Sequence, residues 1–261
     1  MRIALAIEYD GGPFHGWQSQ PDGRGVQDVV ERALSAIAGA QVRAVAAGRT
    51  DAGVHATIQV VHFDTDAIRP DTAWVRGVNA LLPGSVAVRW AVPVSAEFHA
   101  RFVATGRHYT YLLLDRSVRP ALLSGRVGWY HRPLALEAMR AAAEALVGTH
   151  DFSAFRAAEC QAKSPVKTLD GITVSREDDM LRFELHADAF LQHMVRNIVG
   201  ALVYVGDRRQ PSGWIAGLLA SRDRTRGAPT FAAAGLYLTG IDYSVRWNLP
   251  ATVVPVRIPR G

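Results

Sequence analysis

The chain opens on a strict alternation of apolar and polar positions. Ile3, Leu5, Ile7 and Tyr9 fall on one side of an extended segment, with Arg2 and Glu8 on the other, which predicts a half-buried strand. From Asp10 to Gly25 the pattern dissolves into a polar stretch rich in glycine and proline, which predicts a loop. Val26, Val29, Val30, Ala33, Leu34 and Ile37 then recur at helical spacing on one face. Strand-like runs follow at Val42 to Ala46, Ile58 to Phe63 and Val86 to Val92. Between the last two, Pro70 marks a helix start and Pro83 limits its end to about Leu82.

The second half uses similar elements. Strands are expected at Tyr109 to Leu114, Met180 to His186 and Leu236 to Asp242. Helices are expected at Leu134 to Val147, stopped by Gly148, at Phe190 to Val205, and near Ser212 to Leu219. Strands with a single apolar face suit mostly antiparallel sheets flanked by helices, an α+β fold. The expected organisation is two similar halves, 1–105 and 106–248, with a Pro-rich extended tail at 249–261 carrying Pro250, Pro255 and Pro259. The order of elements is similar in the two halves, without a residue-level repeat.

Composition narrows the class. Of the 261 residues 49% are hydrophobic, enough for a real core. No apolar run approaches the roughly 20 residues that span a bilayer, and the first residues lack the pattern of a signal peptide. The reading is a soluble, cytoplasmic protein with no membrane partner. One cysteine, Cys160, excludes an internal disulfide and any multi-cysteine metal site, and its surroundings suggest a small buried residue. The formal charge of +5 favours a polyanionic partner. Only Lys163 and Lys167 among the 29 basic residues are lysines, however, so a base composition favouring Arg and Ala codons explains the arginine excess as well.

Candidate chemistry concentrates in Gly48-Arg49-Thr50-Asp51-Ala52-Gly53, between two expected strands. Glycines there permit a tight turn and the close approach of a ligand. No Lys-Ser or Lys-Thr follows Gly53, and Gly11 to Gly16 lacks dinucleotide spacing, so nucleotide-loop readings fail. Taken alone, the loop also fits a turn closed by an Arg49–Asp51 ion pair. His55 and His62 lie nearby, but no zinc-ligand spacing accompanies them.

The run GRTDAGVHA, from Gly48 to Ala56, closely resembles the catalytic motif of TruA-type tRNA pseudouridine synthases. Six further runs match that family in order: YDGGPFHGWQ (Tyr9 to Gln18), FHARF (Phe98 to Phe102), RHYTY (Arg107 to Tyr111), DFSAFR (Asp151 to Arg156), HMVRNIVG (His193 to Gly200) and GLYL (Gly235 to Leu238). The resemblance implies two α+β halves around a central basic cleft and isomerisation of uridines 38, 39 and 40 in the tRNA anticodon stem-loop. It also implies a homodimer that binds tRNA across its two copies.

Asp51 is then the catalytic carboxylate, acting as nucleophile or as base toward the sugar. The substrate-binding residues implied are Arg49, Tyr109, Arg196 and Leu191, with Phe190 beside them. Tyr109 would stack on the flipped uracil, and Arg196 would pair with the catalytic carboxylate. Tyr111 reads instead as a core aromatic. The isomerisation consumes no electron, phosphate or water, so no cofactor and no metal is expected. Arg208, Arg209, Arg222, Arg224 and Arg226 suit either phosphate contact or an ordinary solvated surface. Two rival classes remain, a non-catalytic RNA-binding module and a hydrolase that cleaves the same glycosidic bond.

Overall fold

A computed structural model describes residues 1–257. Its elements run β1 (Arg2–Tyr9), α1 (Val26–Ala38), β2 (Val45–Ala46), β3 (His55–Asp64), α2 (Val78–Leu81) and β4 (Val86–Val94). Next come β5 (Ala104–Asp115), β6 (Gly128–Tyr130), α3 (Leu136–Ala143), β7 (Gly148–Asp151), β8 (Val166–Glu177) and β9 (Met180–Ala187). The last are α4 (Met194–Gly206), α5 (Trp214–Ser221) and β10 (Leu236–Tyr243). Two compact units result, one from Met1–Thr105 plus the chain from Tyr237 onward, the other from Gly106–Leu236. The strand from Tyr237 thus lies with the first unit, not with the 106–248 half in which it was expected.

In the first unit β1 pairs antiparallel with both β3 and β4, and β2 adds antiparallel to β3. Strand β10 joins β3 in parallel, with Tyr237 opposite His55. Flanked on both edges, β1 is more buried than its alternation suggests. Ala4 and Ala6 are as inaccessible as Leu5 and Ile7, so the expected half-buried strand is a central one. Helix α1 buries Val26, Val30, Ala33 and Leu34, and its first turn carries the Asp28 carboxylate, which accepts the Gly25 N–H at 2.8 Å. The helix after Pro70 forms as expected, though its Ala73–Gly77 part winds as a π-turn.

In the second unit β5, β9, β8 and β7 pair antiparallel in that order, and β6 runs parallel to β5. Strand β8 was not anticipated. Its Lys167, Asp170 and Gly171 interrupt any alternation, and its register shifts between Leu169 and Gly171. Helix α4 is shorter than expected: it begins at Met194, because His193 adopts a left-handed backbone (φ 63°), so Phe190 and Leu191 precede it. Both units mix helices with mostly antiparallel sheet, an α+β fold.

The described part of the tail is docked. Val253 bridges Gly240, Val254 N–H donates to the Thr239 carbonyl at 2.8 Å, and the Trp90 indole donates to the Ala251 carbonyl at 3.0 Å. Pro259 lies outside the described residues. No described helix is long and apolar enough to cross a membrane.

Candidate active site

Asp51 stands at the start of a tight turn leading into β3. Val54 N–H donates to the Asp51 carbonyl at 3.1 Å, and Gly53 takes φ +76°, the third position of a type II turn. Asp51 itself is half-buried and Arg49 is exposed. Among the described residues Arg49 forms no hydrogen bond or ion pair, so the turn is not closed by an Arg49–Asp51 pair.

A second loop holds this turn in place. Trp17 N–H donates to the Thr50 carbonyl at 3.0 Å, and Gly53 N–H lies 3.4 Å from the Phe14 carbonyl. A Cβ at Gly16 (φ +92°) would sit 2.6 Å from the Thr50 oxygen, so the two backbones meet only because residue 16 has no side chain. The same loop is fixed to α1, whose Val26 and Gln27 N–H groups donate to the Gly16 and Trp17 carbonyls, each at 3.0 Å. The runs Tyr9 to Gln18 and Gly48 to Ala56, far apart in sequence, therefore form one assembly.

Beneath it lies a buried polar cluster that the sequence reading did not single out. The Tyr9 hydroxyl meets the Thr50 hydroxyl at 2.8 Å, and Gln59 Nε2 donates to the Gly48 carbonyl at 2.8 Å. Burial pushes the Tyr9 phenol far above its ordinary pKa, so it stays protonated. Gln59 Oε1 is buried without a hydrogen-bond partner among the described residues. The only sequence sign of this cluster was that Tyr9 opens the first motif. The two histidines considered as ligands serve the backbone here: His55 Nδ1 accepts the Gly11 N–H and His62 Nδ1 the Ala100 N–H, both at 3.1 Å.

The second unit carries the other expected residues. Tyr109, half-buried on β5, sits edge-on to the Phe190 ring with centroids 5.0 Å apart. Tyr111, two positions on and fully buried, donates its hydroxyl to the Ala232 carbonyl at 2.8 Å, as suits a core aromatic. Arg196 is half-buried on α4 and its Nε donates to the Phe231 carbonyl at 2.8 Å. The next residue, Asn197, donates to the Phe155 carbonyl and accepts from Arg224 (3.0 Å) and Thr230 (2.7 Å). That polar stripe of α4 is thus internal, not a solvated face. Leu191 is 3% exposed, and Cys160 is buried.

Several arginines considered for phosphate contact have intramolecular partners. Arg224 is tied to Asn197, Arg222 pairs with Asp151 at 3.4 Å, and Arg209 with Asp207 at 2.7 Å. Asp51 and Arg49 thus share one assembly in the first unit, while Tyr109, Leu191 and Arg196 belong to the second.

The sequence matches the family model described as tRNA pseudouridine synthase over residues 5–103 and 142–244. The tRNA pseudouridine synthase A of Chromobacterium violaceum is 61% identical over 259 residues, 99% of each chain. The protein of that name from Thiobacillus denitrificans is 60% identical over 250 residues, 96% of each chain. That from Aromatoleum aromaticum is 56% identical over 260 residues, covering 100% of this chain and 98% of its own.

Proposed function

The chain belongs to the tRNA pseudouridine synthase family, and on that footing we propose that it isomerises uridines 38, 39 and 40 of the tRNA anticodon stem-loop, with Asp51 as the reacting carboxylate. The reaction breaks the N1–C1′ bond and joins C5 to C1′. The C5 proton is released and a proton is taken up at N1, so no co-reactant is consumed. The observation that carries the reading is the clamped turn: a half-buried carboxylate on a loop fixed through Thr50, Gly53 and the Phe14–Trp17 segment. A group that must meet a sugar carbon with defined aim needs such fixing.

Arg49, exposed beside Asp51, is assigned to the RNA backbone. Arg guanidinium suits a phosphate because its planar fork donates two parallel hydrogen bonds. Tyr109 is assigned to stacking on the flipped uracil, with Arg196 and Leu191 holding the same nucleotide. A site that recognises RNA shape and accepts whichever uridine reaches it accounts for action at adjacent positions. The working unit is a homodimer in the cytoplasm.

Incubating the protein with unmodified tRNA tests the position. Pseudouridine is marked with a selective adduct that stops reverse transcription, and stops at 38, 39 and 40 are expected. Stops confined to another arm would overturn the assignment, and free uracil would mark a hydrolase. Light scattering should give twice the chain's 28.4 kDa, and a mass of one chain would remove the homodimer.

A further inference from the structure

The Phe98–Phe102 turn is held by unusually many contacts for a surface segment. Phe98 is fully buried, with its ring against Tyr243 and Trp247 at centroid distances of 5.5 and 5.3 Å. Buried Ala100 donates its N–H to His62 Nδ1 at 3.1 Å and accepts the Tyr243 hydroxyl at 2.7 Å. Arg2 reaches the Phe98 carbonyl at 2.8 Å, and Phe102 and Val103 N–H groups close a helical turn onto the His99 carbonyl. This frame holds a side chain in water: Phe102 is 76% exposed, and the His99 ring stacks on it at 4.1 Å with 16° between planes.

We propose that the His99–Phe102 stack is a platform on which an unpaired base of the tRNA stacks. The inference rests on tRNA being the substrate. Every base offers a π-face, so such a contact tolerates many sequences, and the flat stack is already ordered before binding. The surroundings favour RNA over an apolar protein surface: exposed Arg101 adjoins the platform, and the chain carries a net +5 charge. Glu97, also exposed, is the acidic residue nearest in sequence. Strand β3 separates His55, beside the Asp51 turn, from His62, under the platform, by seven residues, or about 23 Å of extended chain. The platform therefore meets RNA at a distance from the isomerised uridine.

The test compares the native protein with F102A, F102L and F102Y, measuring tRNA Kd, KM, kcat, melting temperature and oligomeric mass. F102A and F102L are expected to raise Kd and KM about 10-fold, with kcat at saturating tRNA unchanged. F102Y should restore native affinity, and melting should not move in any variant, because the ring is exposed. Unchanged affinity in F102A would overturn the proposal. So would F102L binding as well as F102Y, or F102A changing only the oligomeric mass. If the native protein makes no pseudouridine yet F102A still loses tRNA affinity and F102Y regains it, the platform stands and the isomerase reading falls.

Discussion

Gly16 shows how a residue with no chemistry of its own sets the place of the carboxylate proposed to react. Its left-handed backbone and the Thr50 oxygen 2.6 Å from where a Cβ would stand make Gly16→Ala strained twice over. Displacing the Asp51 turn by even an ångström should lower kcat about 100-fold while changing KM for tRNA far less. Single-turnover kinetics at saturating tRNA would check this, and native kcat would show that the turn tolerates the shift. His62 carries a different consequence. Burial, reinforced by His99 and Arg2, holds its pKa at about 4 instead of 6.5, and its neutral Nδ1 accepts the Ala100 N–H. Between those two pH values the unfolded chain binds a proton that the folded chain does not. Stability from this residue is complete above about pH 6.5 and falls as pH drops toward 4. His62→Asn, which keeps an acceptor for Ala100, should flatten that part of the pH–stability curve in urea titrations. An unchanged slope would assign it to other groups. At this scale the Gly48–Ala56 run was legible as a family motif, and Tyr111 was legible as core. The missing Arg49–Asp51 ion pair and the Tyr9–Thr50–Gln59 cluster were not, since sequence spacing does not say which side chains a turn brings together.

Elements with a clean period were read correctly and those without one were missed. Helix α1 and strand β9 follow from their apolar spacing, whereas β8 draws its order from pairing with β7 and β9 despite a mixed sequence. Helix α4 was extended too far because Phe190 and Leu191 continue its apolar face, and only the left-handed turn at His193 ends it. Side chains also hold elements together. The Asp115 carboxylate at the end of β5 is fully buried, takes Arg176 of β8 at 2.6 Å and accepts the Leu134 N–H ahead of α3 at 2.8 Å. Asp115→Ala would leave the Leu134 N–H without its acceptor and Arg176 with only the Leu134 carbonyl, and should destabilise the protein by about 3 kcal/mol. A denaturation midpoint equal to the native one would contradict this.

At the scale of the whole molecule, the chain's return was the least legible feature. The sequence places β10 with the second half and suggests an extended Pro-rich tail, whereas the strand pairs with β3 and residues 251–254 fasten onto Thr57, Trp90 and β10. Nothing local in Pro250 or Pro255 announces the contacts to Trp90 and Thr57, which lie 161 and 197 residues away. A chain ending at Asn248 loses these bonds and the burial of Val256. It is expected to melt lower by several degrees, a loss of about 3 kcal/mol. Melting at the native temperature would show that the tail is dispensable.

The central claim is that Asp51 isomerises uridine in tRNA, and tritium release tests it most directly. The C5 proton must leave when C5 joins C1′, so tRNA tritiated at uridine C5 reports the reaction itself. The native protein should release tritium, while Asp51→Ala and Asp51→Asn, folded and still binding tRNA, should release none above background. Release at the native rate from either variant would contradict the account.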